Sequence, residues 1–334
     1  LESMVTRVTI PVPSRGTVRP MRAVLLVNPK ATTTSERARD VLVRALRSEV
    51  DLSVRYTRRR GHATNLAREA AVEGVDVVVT LGGDGTVNEV VNGLMTATSV
   101  AGQPPTAERL PALATVPGGS TNVFARALGL PKEWAEGASM IMEGLRLGRR
   151  RTIGLGRADD RYFTFCAGLG LDAAVIHRVE EARRRGRVPS PGLYFRAFTA
   201  QFLLGAERRH PAIRLEQPGE ATEGDLASII VQNTAPWTFV GDREANPNPE
   251  ASFDLGLDVL AFRQLGVAST TRTVRQFLSA TPNPHGRQLV RRHDVAEFTL
   301  VASRPQAFQL DGDYLGEREK VRFTSVPAAL RVIC

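Results

Sequence analysis

Two glycine-rich runs are where this chain could do chemistry: Gly82-Gly83-Asp84-Gly85-Thr86 and Pro117-Gly118-Gly119-Ser120-Thr121-Asn122. The first follows a β-branched apolar run, Val77 to Thr80, and precedes Val87, Val90, Val91 and Leu94 at helical spacing. A strand that feeds a glycine loop and then a helix is suited to holding phosphate. Glycines let the backbone approach an anion with its N–H groups, and the helix N-terminus adds partial positive charge. Asp84 is out of keeping with storage alone, because a carboxylate beside phosphates repels them unless it meets a metal ion or takes a proton. The loop therefore points to phosphoryl transfer; a plain turn is the competing reading.

These loops need a scaffold, and the flanking pattern supplies one. Residues 21–27 read as a strand ending at Asn28-Pro29-Lys30, and 35–48 as a helix. A strand at 51–57, a helix at 62–73, the 77–81 strand with its helix, and a strand at 111–116 follow. Strands alternating with helices predict an α/β, doubly wound parallel sheet, with ligands at the carboxyl ends of the strands. The loops at 28–32, 82–89 and 117–122 would then open on one edge. After about residue 150 the pattern changes to short strands (151–175, 211–232, 257–263, 287–302, 305–324). Helical periodicity persists at 172–185, 192–206 and 267–279. The expected organisation is a flexible leader at 1–20, a nucleotide-binding part at 21–150 and a β-rich, sandwich-like part at 151–324. The apolar end, 325–334, returns to the first part.

The length of 334 residues suffices for two cores, and 42% hydrophobic with 24% charged residues is ordinary for a globular chain. No apolar run reaches the ~20 residues of a membrane span; Leu193 to Ala206 is broken by Arg196 and Gln201. Cys166 and Cys334 cannot form a disulfide framework and suit a reducing cytoplasm. The net charge of +9 is almost all arginine, with lysine only at 30, 132 and 320. Composition bias or attraction to an anionic surface would each produce it. No zinc-finger spacing or RNA-binding signature accompanies the charge, so nucleic acid is not an expected partner.

The ordered set Asn28-Pro29-Lys30, Thr57 with Gly61-His62-Ala63, Gly82 to Glu89, Pro117 to Asn122, Gly168 to Ala173 and Asp311-Gly312-Asp313 resembles the diacylglycerol kinase catalytic-domain family. That family includes bacterial diacylglycerol kinases and the sphingosine and ceramide kinases. The resemblance runs from about residue 21 to 330. It implies an enzyme that moves the γ-phosphoryl group of ATP, with Mg²⁺, to a lipid hydroxyl, diacylglycerol to phosphatidate being the favoured case. The positions matching nucleotide contacts are Asn28, Pro29, Lys30, Ala31, Thr32, Thr57, Gly83, Asp84, Gly85, Thr86, Asn88, Glu89, Gly119 and Ser120. Asp313 matches the carboxylate assigned as proton acceptor, one methylene shorter than the family's glutamate. Asp311 supports it, and Asp84 is either a second candidate base or the group near the nucleotide's Mg²⁺. An NAD kinase-like enzyme shares the GGDG loop, and a non-catalytic nucleotide- or lipid-binding regulator is the alternative of another class.

On the lipid side, Arg183, Arg184, Arg185 and Arg187 precede Tyr194, Phe198 and Phe202 at i, i+4, i+8. The arginines would hold anionic headgroups at a membrane surface, making the protein cytoplasmic and peripherally membrane-associated; a solvated charge run beside a core helix is the bland alternative. Self-association into a homo-oligomer stays open. Val123 and Leu255 stand where some members carry aspartates of a structural Mg²⁺ network, and neither side chain binds a hard cation. Only nucleotide-borne Mg²⁺ is therefore expected, and a well-occupied Mg²⁺ at Asp254 in nucleotide-free protein would contradict this.

Overall fold

The computed structural model describes residues 20–30, 35–97, 106–187, 193, 196, 197, 200, 201 and 211–334. The first part alternates β1 (Arg22–Val27), α1 (Glu36–Arg47), β2 (Asp51–Tyr56), α2 (His62–Val72), β3 (Val77–Gly82), α3 (Asp84–Ala97) and β4 (Ala112–Pro117). α4 (Val123–Ala127) and α5 (Trp134–Leu147) follow. The strands are parallel in the order β4-β3-β1-β2. β3 and β4 are buried at every residue, which is why they read as continuous apolar runs, whereas β2 at the edge alternates. α2 and α3 pack so closely that a methyl group on Gly93 would lie 2.3 Å from the Thr64 carbonyl oxygen.

The rest of the chain is mostly antiparallel: β5 (Arg151–Ala158), β6 (Arg161–Phe163), β7 (Cys166–Gly170), α6 (Leu171–Arg184), β8 (Ile213–Glu216), β9 (Glu223–Leu226) and β10 (Ser228–Gln232). Then come β11 (Thr238–Val240), β12 (Arg243–Ala245), β13 (Leu257–Phe262), α7 (Val267–Phe277), β14 (Leu289–Val295), β15 (Glu297–Leu310) and β16 (Asp313–Ile333). The fold is thus α/β with a parallel-strand core and a β-rich remainder. One expectation is corrected. The final strands are not short: β15 runs 14 residues and β16 runs 21. The Ser303-Arg304-Pro305 stretch, which looks like a break, is absorbed where the β15/β16 register shifts between Val301 and Gln306.

β16 ties the two parts together. It pairs with β15 through Thr324, then with β5, and ends in parallel register with β4 at Val332↔Leu113 and Ile333↔Ala114. Leu330, Val332 and Ile333 accordingly sit in the same apolar cluster as β1, β3 and β4. A second cluster is built on Phe163, Phe298, Phe308 and Phe323, with Phe298 and Phe323 stacked at 5.0 Å between centroids. A third lies beneath α6, around Leu171, Val175, Val179 and Phe277.

The glycine loops after β3 and β4 pack backbone against backbone. A methyl group on Gly119 would stand 2.7 Å from the Gly83 Cα, one on Gly83 would stand 3.1 Å from the Gly119 Cα, and Gly118 N–H donates to the Gly82 carbonyl at 2.9 Å. Gly119→Ala is expected to force these loops apart and cost about 1–3 kcal/mol, read as a lower thermal midpoint in calorimetry.

Candidate functional site: a cleft between the glycine loops and the β15–β16 turn

Because β1, β3 and β4 are parallel, the segments after Val27, Gly82 and Pro117 leave the sheet at one edge. Side-chain bonds knit them together. The Asn28 amide nitrogen donates to Thr86 Oγ1 at 3.2 Å, while its Oδ1 accepts the Lys30 N–H at 3.0 Å, closing an Asx turn. Thr57, half-buried, follows β2 with its N–H on the Val27 carbonyl. In the second loop, Asn122 Oδ1 accepts the Gly119 N–H at 2.8 Å and its amide nitrogen donates back to the Gly119 carbonyl. Ser120 is left exposed at the rim, as are Pro29 and Lys30; Ala31 and Thr32 lie outside the described residues.

Three expected contact residues turn out to have other employment for their side chains. Asp84 accepts the N–H groups of Val123 and Phe124, both at 3.0 Å, so it anchors the start of α4. Burial pushes its carboxyl up to about 6, against the pull of those two amides. The sequence suggested a metal ion or a proton as its remedy for repulsion; the positive end of a neighbouring helix is a third. Glu89 accepts from Gly61 N–H at 2.7 Å and Ala63 N–H at 3.0 Å, doing the same for α2. Asn88 is fully buried and donates to the Tyr162 carbonyl and to Asp311 Oδ2.

Asp311-Gly312 forms the two-residue connection between β15 and β16, both residues in the left-handed region (φ 48° and 79°). Gly312 is exposed, but the Asp311 side chain is not solvated. Asp311 is 4% exposed, and its carboxylate accepts from the Asn88 amide, the Thr164 N–H and hydroxyl, and the Phe165 and Cys166 N–H groups, at 2.7–3.1 Å. Burial still raises its pKa above the ordinary carboxylate value. Its side chain faces inward, so it positions the turn and does not face the cleft.

Asp313 faces the glycine loop. A methyl group placed on Gly85 would lie 3.6 Å from both of its carboxylate oxygens, an ordinary contact distance, so the start of α3 and the start of β16 lie directly against each other. Its side chain is 24% exposed and pairs with Arg60 at 3.0 Å. A partly solvated carboxylate beside a loop of backbone amides and hydroxyls can accept a proton from an alcohol lying between them.

Several supporting residues had no assigned role in the sequence. Gln309 donates to Asp172 at 2.8 Å and accepts the Gly312 N–H at 2.9 Å, bracing the turn from the far side. Arg161 donates to the Asn88 side-chain Oδ1 at 2.9 Å. Arg60 is one of three consecutive arginines, and nothing in the run marks which one crosses the cleft. Cys166 lies beneath the turn, its thiol pushed well up by burial and by Asp311 and Asp172, so it is an inert filler.

Asp254 pairs with Arg151 at 2.8 Å, and the buried Asp258 pairs with His293 at 2.9 Å. Among the described residues, no three His, Cys, Asp or Glu side chains converge as a metal cage. Arg183, Arg184, Arg185 and Arg187 are all exposed at the end of α6, and Tyr194, Phe198 and Phe202 lie outside the described residues. Among the described residues no helix is long and apolar enough to cross a membrane.

Burial pushes the Asp172 carboxyl up to about 6, opposed by the Gln309 hydrogen bond. A carboxyl whose folded pKa exceeds its unfolded value binds more protons when folded, so stability falls as pH rises from about 4 to about 6. Asp172→Asn, which keeps an acceptor for Gln309, is expected to remove this penalty. At pH 7.5 the variant should gain on the order of 2 kcal/mol over wild type, with the difference vanishing near pH 4, measured by urea unfolding across that range.

Comparison with known proteins bears on the family and the fold. The family model described as "Diacylglycerol kinase catalytic domain" matches residues 22–158. The chain is 30% identical over 315 residues to a "Probable lipid kinase YegS-like" of Stenotrophomonas maltophilia (strain K279a), covering 92% of this chain and 94% of the other. It is 28% identical over 276 residues to a diacylglycerol kinase of Bacillus subtilis (strain 168), covering 80% of each. A crystal structure of a diacylglycerol kinase from Bacillus anthracis str. Sterne superposes with a TM-score of 0.68 at 18% identity, over 95% of this chain and 97% of that one, a likeness of fold. The glycine loops, the Asp-Gly turn with its buried Asp311 and a relative spanning nearly the whole chain lead to one conclusion: the chain belongs to the diacylglycerol kinase catalytic-domain family of lipid kinases, enzymes that phosphorylate an alcohol.

Proposed function

We propose that this kinase transfers the γ-phosphoryl group of ATP to a lipid hydroxyl, with diacylglycerol as acceptor and phosphatidate as product. The observation that carries the reading is the placement of Asp313 against Gly85 across the cleft. Residues 21–150 with 325–334 would bind the nucleotide, and 151–324 the lipid. The segments after β1, β3 and β4 supply Asn28, Thr86, Gly83, Gly85 and Ser120 as donors for the triphosphate, while Gly119, its N–H held by Asn122, lets the backbone approach closely. Asp313 acts as the base. An alcohol's pKa lies far above 7, so its proton leaves late and an aligned carboxylate lowers the barrier. Asp311 holds the turn that aligns it.

The chemistry of the cleft suits a metal that arrives with the phosphates. Asp84 offers hard oxygen atoms whose remaining lone pairs could meet Mg²⁺, directly or through water, and no protein cage is required. When bound, Mg²⁺ supplies charge neutralisation on the transferring group. The exposed arginines at the end of α6 support work at an anionic membrane surface on the cytoplasmic side.

A labelled-ATP assay over diacylglycerol, sphingosine, ceramide and NAD tests the reading. Label is expected on diacylglycerol, and Asp313→Asn is expected to lower kcat about a hundredfold or more with little change in KM for ATP. Label on NAD alone would make the enzyme NAD kinase-like, and label on nothing would favour a regulatory, non-catalytic protein.

A further inference from the structure

Glu180, near the end of α6, is a charged residue that the proposed chemistry does not use, and it touches three parts of the molecule at once. Its carboxylate, 12% exposed, accepts the Tyr314 N–H at 3.0 Å, the amide immediately after Asp313. It lies 3.7 Å from the Arg60 guanidinium and 3.6 Å from that of Arg184. Arg60 also holds Asp313 at 3.0 Å, reaching over from the segment between β2 and α2. The charges therefore alternate along one chain: Arg184, Glu180, Arg60, Asp313. Its outer end belongs to the exposed basic cluster at the end of α6, and its inner end is the proposed base.

Both arginines are mobile partners. Arg60 is 56% exposed and Arg184 69% exposed, so each ion pair is weak in water and can exchange readily. Glu180 is the opposite, a nearly covered carboxylate fixed by a backbone N–H. It is thus the stationary group for which Arg184 and, through Arg60, Asp313 compete.

We propose that Glu180 is a positioning residue that sets how firmly Arg60 stays on Asp313, and that an anionic lipid surface controls it through Arg184. This rests on the lipid-kinase reading. With Arg184 against it, Glu180 is partly neutralised and Arg60 remains on Asp313, where it competes with the proton of the acceptor hydroxyl. When lipid phosphates draw Arg184 away, Glu180 becomes the better seat for Arg60, and the Asp313 carboxylate is released to accept that proton. Only ion pairs exchange, and no bond is made or broken.

The test uses the full chain and initial rates on diacylglycerol in uncharged mixed micelles with increasing phosphatidylglycerol. Wild-type kcat is expected to rise about three- to tenfold, with KM for ATP unchanged. Arg184→Ser should start from a raised kcat in uncharged micelles and respond less than wild type. Glu180→Gln, which keeps an acceptor for Tyr314 but no charge, should stay low at every composition, and Glu180→Asp should recover part of the response. Vesicle co-sedimentation of Glu180→Gln should be retained, because Arg183, Arg184, Arg185 and Arg187 all remain. A wild-type-like response to phosphatidylglycerol in Glu180→Gln or Arg184→Ser overturns the coupling alone. Absence of transfer to any lipid by the wild type overturns the kinase reading and this proposal together.

Discussion

The site depends on one desolvated carboxylate. Asp311 sits in a left-handed turn, almost wholly covered, and five donors from two separate segments converge on it. A buried anion is tolerable only when its lone pairs are filled, and here each donor is itself fixed by the fold. Asn88 comes from α3 and Thr164 to Cys166 from the start of β7, so the same carboxylate registers the nucleotide-side helix against the β-rich part. Asp313 is two residues away on a strand that cannot shift without breaking that set. The exposed, functional-looking acid is placed by the hidden one.

The glycine loops do two jobs, and the packing job sets the tighter limit. Gly82 and Gly83 lie so close to Gly118 and Gly119 that a side chain on Gly83, Gly118 or Gly119 would intrude on the facing backbone. That contact fixes the separation of the β3 and β4 loops and thereby the width of the surface offered to phosphates. Asp84 and Glu89 extend the theme. Each is spent on the N-terminus of a neighbouring helix, so α2, α3 and α4 are locked around the cleft by charge–dipole contacts as well as by packing.

Local patterning makes the parallel half legible. β3 and β4 are uninterrupted apolar runs, α2 and α3 keep helical spacing, and the loops between them declare themselves by glycine. The residues that face the cleft are less legible, because sequence shows side-chain type and not direction. Asn88 and Glu89 belong to the same motif as Gly85 yet turn away from the gap, since a helix sends consecutive side chains to different sides. Arg60 and Glu180 lie in charge-rich stretches where every neighbour looks equivalent, and only tertiary placement singles them out. The long β15–β16 hairpin is obscured by Pro305, which reads as an end and is accommodated as a local irregularity. Asp311 is legible as a support for Asp313, but its burial is not, because its donors lie some 145 to 223 positions away in the sequence.

β4 borders β3 on one side, and on the other it waits for Val332 and Ile333, more than two hundred residues further along. During synthesis the parallel sheet therefore stands with one apolar flank open until β16 has been made. Such distant closure is slow, and an unpaired strand flank invites self-adhesion while it lasts. Biogenesis of this protein thus has a vulnerable interval set by topology, and β16 ends it by covering that flank and seating the Asp313 carboxylate in the same event.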